Sequence, residues 1–298
     1  MTSHQASPEP EQPDLEAHFK YDGPMFKYAA LISYVGTQYC GWQKQSGTNS
    51  GDAPSIQETL ELALQKITGE KFAVVGSGRT DSGVHSVGQV AHFSLKKKEW
   101  DPLILQKGLN SLLPIDIRIQ ALRSVPIDFH SQRSASHKQY SYYFQQGPSA
   151  LPHLEPYSWW IKRPLNLPAI QRALNHLKGE HDFKPFQASG SKPGPTVRRI
   201  LEAQVTLESI GIPGAPHLES ALTGGAPFGL VRVRLVGTGF LKQMVRGISG
   251  TLLQVGEDRR EPDCTRLILE TRDRSLVGPT APARALWQDQ VWYPGLTF

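Results

Sequence analysis

Apolar and polar residues recur along this chain at two spacings, about two and about 3.6, and the spacings alternate in a regular order. Residues 27–35 (KYAALISYV) are dense in apolar and β-forming side chains and read as a strand. Ser55-Ile56-Gln57-Glu58 matches a capping box, with serine as N-cap and glutamate three residues on. Ile56, Leu60, Leu64 and Ile67 then follow at helical spacing, and Gly69 is the expected stop. Residues 71–75 read as a short strand, residues 76–83 as a glycine-rich loop and residues 88–95 as another strand. Asp101-Pro102 opens a second helix, with Leu105, Leu109 and Leu112 expected on one face, and residues 115–125 close the set as a strand. Strand, helix, strand, strand, helix, strand is the split βαβ, or ferredoxin-like, order.

The second half repeats that order. Residues 138–145 (KQYSYYFQ) read as a strand, residues 167–177 as a helix stopped by Gly179, and residues 198–207 and 230–236 as two strands. Residues 208–229 between them are rich in Gly and Pro and read as a long surface loop. A helix is expected over residues 240–255, with Leu241, Met244, Val245, Ile248, Leu252 and Val255 on its apolar side. A short helix over 266–270 and a last strand over 286–293 complete the chain. The expected class is α+β, with two ferredoxin-like halves: a tail over 1–24, a first domain over 25–132 and a second over 133–298. The halves are free to meet edge to edge or face to face.

Composition adds a partner. The chain has 298 residues, 32 basic and 27 acidic, for a net charge of +5. The tail holds Glu9, Glu11, Asp14, Glu16 and Asp22 against Lys20, so the body is more basic than the whole. A basic body suits a polyanion such as RNA. Two cysteines, Cys40 and Cys264, form no disulfide framework and no zinc spacing, which fits a reducing cytoplasm. No apolar run is long enough for a membrane span, and the tail lacks a signal peptide's apolar core. The histidines form no metal-ligand set, so no metal is expected.

The candidate chemistry sits in loop 76–83 (GSGRTDSG). Its glycine spacing does not fit a dinucleotide fingerprint, and a P-loop lysine is missing. What remains is an acid, Asp81, on a tight turn beside a fixed cation, Arg79. A carboxylate held there can act as nucleophile or base; it can equally do no more than bond its own backbone in an Asx turn. Tyr140 and Tyr142 share one strand face, where aromatics either fill a core or stack on an unpaired base. Arg232 and Arg234 share a face of their strand, which can track phosphates or simply face solvent. Lys242 and Arg246 fall four apart on the polar side of the expected 240–255 helix.

These residues, taken together, resemble a family. Gly78-Arg79-Thr80-Asp81-Ser82-Gly83-Val84-His85 is similar to the signature loop of the TruA-type tRNA pseudouridine synthases. Its companions occur in family order: Tyr39-Cys40-Gly41-Trp42-Gln43, Lys138-Gln139-Tyr140-Ser141-Tyr142, Gly179-Glu180-His181-Asp182-Phe183, Phe240-Leu241-Lys242-Gln243-Met244-Val245-Arg246, and Gly278-Pro279-Thr280-Ala281-Pro282 ahead of Leu286. Gln132 stands where the family usually has arginine, and Ala285 where glycine commonly precedes the leucine. The resemblance implies a catalytic cleft between the two halves, a homodimer, a tRNA partner and no cofactor. It implies that uridines at positions 38, 39 and 40 of the anticodon stem-loop are isomerised. It assigns Asp81 as the catalytic acid, Arg246 as its paired arginine, Tyr140 as a stacking and catalytic residue, Arg79 as the group that displaces the target base, and Leu286 as a pocket wall. Two rivals stand beside it: a tRNA-binding chaperone that needs the basic faces but not Asp81, and an RNA glycosidase or nuclease, for which a second placed carboxylate or a metal cluster is wanting.

Overall fold

A computed structural model describes residues 24–43, 53–191, 193–208 and 229–298. The expected tail over 1–24, apart from Pro24, and the expected loop over 208–229, apart from its two end residues, lie outside the described residues.

The first half runs β1 (Phe26–Tyr34), α1 (Ile56–Thr68), β2 (Val75–Gly76), β3 (His85–Leu95), α2 (Pro102–Leu112) and β4 (Ile117–Ser124). The second runs β5 (His137–Gln146), β6 (Trp159–Ile161), α3 (Leu167–His176), β7 (Gly179–Asp182), β8 (Val197–Glu208), β9 (Gly229–Gly237), α4 (Met244–Gly256), α5 (Cys264–Thr271) and β10 (Leu286–Trp292). All ten strands belong to one sheet of order β4-β1-β3-β10-β5-β9-β8-β7, with β2 on β3 and β6 on β5. Each half keeps the ferredoxin-like order: β4-β1-β3-β2 in the first and β10-β5-β9-β8 in the second. The halves meet edge to edge.

The seam has a local cause. β2 is only two residues long and pairs with Ala91 and His92. The other end of that edge is left to β10, which pairs in parallel with His85 and Ser86. β10 carries an irregularity between Gln288 and Gln290. A Cβ at Gly88 would lie 2.0 Å from the Asp289 carbonyl oxygen, so only glycine lets the two backbones approach there.

Register places both helix pairs on one face of the sheet. Tyr34 pairs with Ser86, Ser86 with Gln288, and Gln288 with Tyr140, and paired residues project to the same side. On that face Tyr28, Ile32, Phe93 and Leu95 pack with Ile56, Leu60, Leu105 and Leu109 of α1 and α2. In the second half Tyr142, Phe144, Val231 and Val233 pack with Ile170, Leu174, Ile248 and Leu252 of α3 and α4. Between the two helix pairs runs the cleft.

The helix starts follow the expected chemistry. Ser55 accepts a bond from Glu58 N at 3.1 Å, and Gly69 ends α1 in the left-handed region. Asp101 caps α2 at Ile104 N, 2.9 Å. Four expectations change. Leu112 is exposed, and Leu113, just past the helix, turns inward in its place. The strand expected over 71–75 is reduced to β2. The helix expected over 240–255 begins at Met244, because Gln243 adopts φ 60° and residues 242–243 form a turn. Lys242 is therefore off the helix. Gly179 does not only stop α3: with φ 100° it opens β7, which pattern alone did not reveal. Among the described residues no helix is long and apolar enough to cross a membrane.

Candidate active site

The loop after β2 is held from below and from the side. Below it, Ser77 is fully buried, and its hydroxyl donates to Gln89 Oε1 at 2.6 Å. Gln89 Nε2 donates to Gly78 O at 2.9 Å, and Lys138 Nζ donates to Ser77 O. Gln288 Nε2 donates to the Ser77 hydroxyl at 3.3 Å. β3, β5 and β10 thus all grip the loop. At the side, Trp42 N donates to Thr80 O at 3.0 Å, the Ser82 hydroxyl to Tyr39 O at 3.1 Å, and Thr80 Oγ1 pairs with Tyr34 OH at 2.8 Å. Close approach depends on a missing side chain: a Cβ at Gly41, which has φ 108°, would lie 2.6 Å from Thr80 O.

This clamp presents Asp81 to α4. Its Oδ2 accepts from Arg246 Nη1 at 3.2 Å, with the two side chains 23% and 15% exposed. The carboxylate's partner is thus this distant arginine rather than its own backbone. Arg246 is fixed in turn, since its Nε donates to Ala281 O at 2.7 Å. Ala281 reaches that position because the strip 278–282 lies flat on α4. A Cβ at Gly250 would fall 1.7 Å from Pro279 O, and the Tyr142 hydroxyl holds Pro282 O at 3.0 Å.

Tyr140 stands on the same sheet face beneath the cleft. It is 7% exposed, its ring meets Phe240 edge-on at 4.9 Å, and its hydroxyl has no hydrogen-bond partner among the described residues. A nearly buried phenol usually finds one. Burial first, then the proximity of Tyr34 and of Asp81, raise its pKa, so the hydroxyl stays protonated at neutral pH. Leu286, 6% exposed at the start of β10, pairs with Tyr142. Arg79 is exposed and makes no bond or ion pair with another described residue. The fixed cation beside Asp81 is Arg246, not Arg79.

His85 ends the signature loop as a structural group. Its Nδ1 accepts from Gly36 N at 3.1 Å, which leaves Nε2 to donate to Arg284 O at 2.9 Å. Burial lowers its pKa, so it remains neutral. Among the described residues no group of three or more His, Cys, Asp or Glu side chains could hold a metal.

The expected arginine row lies elsewhere. Arg232 and Arg234 project from the opposite sheet face. Arg232 pairs with Asp289 at 3.1 Å and Glu208 at 3.3 Å, and Arg234 with Glu202. Each arginine thus faces a carboxylate, which makes this a paired polar sheet face on the side away from Asp81.

A family model described as tRNA pseudouridine synthase matches residues 30–132 and 173–294. The chain belongs to the tRNA pseudouridine synthase family. Among its relatives named tRNA pseudouridine synthase A, that of Bdellovibrio bacteriovorus is 36% identical over 90% of this chain and 95% of its own. That of Maridesulfovibrio salexigens is 37% identical over 90% and 91%, and that of Chlamydia trachomatis 38% over 90% and 92%. Membership in this family makes the protein an isomerase, as expected from its motifs. Pattern reading did not single out Lys138, Ser77, Gln89 or Gln288, although Lys138 lies two residues before Tyr140 and so had to share its face.

Proposed function

We propose that the protein isomerises uridine to pseudouridine at positions 38, 39 and 40 of the tRNA anticodon stem-loop, with Asp81 as nucleophile. The observation that carries this reading is the Asp81–Arg246 pair, set beside the unpaired Tyr140 hydroxyl in the cleft. The target base first leaves its stack. Arg79, exposed and without a partner among the described residues, fills the vacated position. The Asp81 carboxylate attacks C1′, and the N1–C1′ bond breaks with its electron pair leaving on the base. The base turns against the Tyr140 ring, C5 bonds to C1′ as the carboxylate leaves, and the C5 proton is lost while N1 gains one. No electron is gained or lost, so the chemistry calls for no redox cofactor. Leu286 walls the pocket on its apolar side. Confining the detached base beside its sugar is itself catalytic.

The raised pKa of Tyr140 favours stacking and hydrogen-bond donation over removal of the C5 proton. We further infer a cytoplasmic homodimer, with residues 25–132 carrying the loop and 133–298 completing the cleft. Pseudouridine mapping of an unmodified tRNA transcript treated with the enzyme tests the site assignment. Modification confined to positions 38–40 supports it; modification only outside the anticodon stem-loop contradicts it.

A further inference from the structure

Lys138 and Arg198 are two cations on the cleft face that no acid in the described residues neutralises. Lys138 Nζ spends one bond, on Ser77 O, and Arg198 spends Nη1 on two nearby backbone carbonyls, Pro195 O at 2.9 Å and Val197 O at 2.7 Å. Both are partly buried, and each sits under a glycine. A Cβ at Gly78 would lie 3.3 Å from Lys138 Nζ, and a Cβ at Gly239 would lie 3.3 Å from Arg198 Nε. The two glycines come from opposite sides, one from the loop that carries Asp81 and one from the turn that ends β9. Lys138 also projects beside Tyr140, whose hydroxyl would lie 3.9 Å from the same Gly78 Cβ.

Two like charges taken partly out of water destabilise a fold unless something compensates them. Elsewhere this protein does compensate: Arg232, Arg234 and Arg246 each face a carboxylate. Burial, with the Arg198 charge adding to it, pulls the Lys138 pKa down to about 8, as expected of an ammonium whose counterion is wanting. The N–H donors that Lys138 and Arg198 do not spend on backbone carbonyls are of the right chemistry for an oxyanion.

We propose that Lys138 and Arg198 form a seat for one backbone phosphate of the RNA, adjoining the target nucleotide. The seat rests on the tRNA-modifying reading above and adds how the strand is anchored while its base is drawn towards Asp81. Ionic pairing of phosphates with lysine and arginine releases counterions, so the number of such contacts is read from the salt dependence of affinity.

The test uses the full chain and an anticodon stem-loop RNA, with binding measured apart from turnover. Lys138→Met and Arg198→Gln should each weaken binding roughly ten-fold and reduce the slope of log affinity against log salt by about 1. Lys138→Arg, which keeps the charge, should restore most of the slope. A second arm replaces single phosphates around the target uridine with uncharged methylphosphonates. One replacement should weaken the wild type yet leave Lys138→Met unaffected, because the partner is already gone. An unchanged salt slope overturns the proposal, and so does the absence of any phosphate with that non-additive signature. A Lys138→Met variant that binds normally but turns over slowly would assign the lysine to holding Ser77 O alone, again against the proposal. Failure of isomerisation itself would show in product analysis and leave the binding slopes intact, so the two failures are distinguishable.

Discussion

Asp81 and Arg246 are 165 positions apart and meet at 3.2 Å, so this pair adds an ionic bond between the two halves to the strand pairing of their seam. Arg246→Ala should lower the single-turnover rate about 10²-fold, because a carboxylate that loses its fixed partner can swing away from C1′. The same variant should lose much less RNA affinity; a large affinity loss with an unchanged rate contradicts the pairing's role. Tyr140→Phe keeps the ring and removes the hydroxyl. If stacking is its chief contribution, rapid-quench assays should find this variant far more active than Tyr140→Ala; equal inactivity would make the hydroxyl decisive. At this scale Asp81 is legible through the resemblance of residues 78–85 to a family signature loop, since the loop's own chemistry leaves a plain Asx turn open. Lys138 could not, because its surroundings come from loop 76–83 and from β8, both distant in sequence. Nor could the neutralised state of Arg232 and Arg234, whose partners Asp289, Glu208 and Glu202 lie on other strands or at their strand ends.

At the scale of elements, the loop behind Asp81 is only as rigid as the strip 39–42 beside it. Gly41→Ala would force a side chain into a left-handed backbone and towards Thr80 O. It should destabilise the protein by about 1–3 kcal/mol and reduce turnover beyond what that instability explains; denaturant melts and single-turnover rates compare the two. β3 offers a pH test. His92 on its reverse face is buried against Ser131, and burial first, then Lys27, His130 and Arg133, lowers its pKa to about 4 from 6.5. The unfolded chain binds more protons between those values, so stability contributed above pH 6.5 is lost as pH falls towards 4. Thermal melts across that window should decline more steeply for the wild type than for His92→Gln; parallel curves would contradict it. Capped helices were legible here: Ser55, Gly69 and Asp101 act locally, and α1 and α2 begin where they indicate. The start of α4 was not, because the apolar spacing of Leu241, Met244 and Val245 continues through a turn that only the backbone of Gln243 reveals. β7 was hidden for a related reason, since four residues with no apolar alternation carry no period.

For the whole molecule, two ferredoxin-like orders could be read from element succession, but their joining could not. Succession does not say that β2 would stop after two residues and leave half an edge of β3 for β10. That seam makes the protein one sheet and sets the cleft between its helix pairs. Gly88→Val should therefore disturb both halves at once, lowering the melting temperature and the rate together; a fully active, equally stable variant would contradict the close approach at Asp289. Light scattering in solution should give twice the chain mass of 33.0 kDa if the protein is the homodimer inferred above. The claim on which everything else depends is isomerisation through Asp81. It is tested most directly by release of tritium from C5 of uridine in a tRNA transcript, with wild type beside Asp81→Ala and binding of both checked. Release by the wild type alone, with tRNA still bound by the variant, is the predicted result. Equal release by both proteins, or none from a wild type that binds the transcript tightly, would contradict the account.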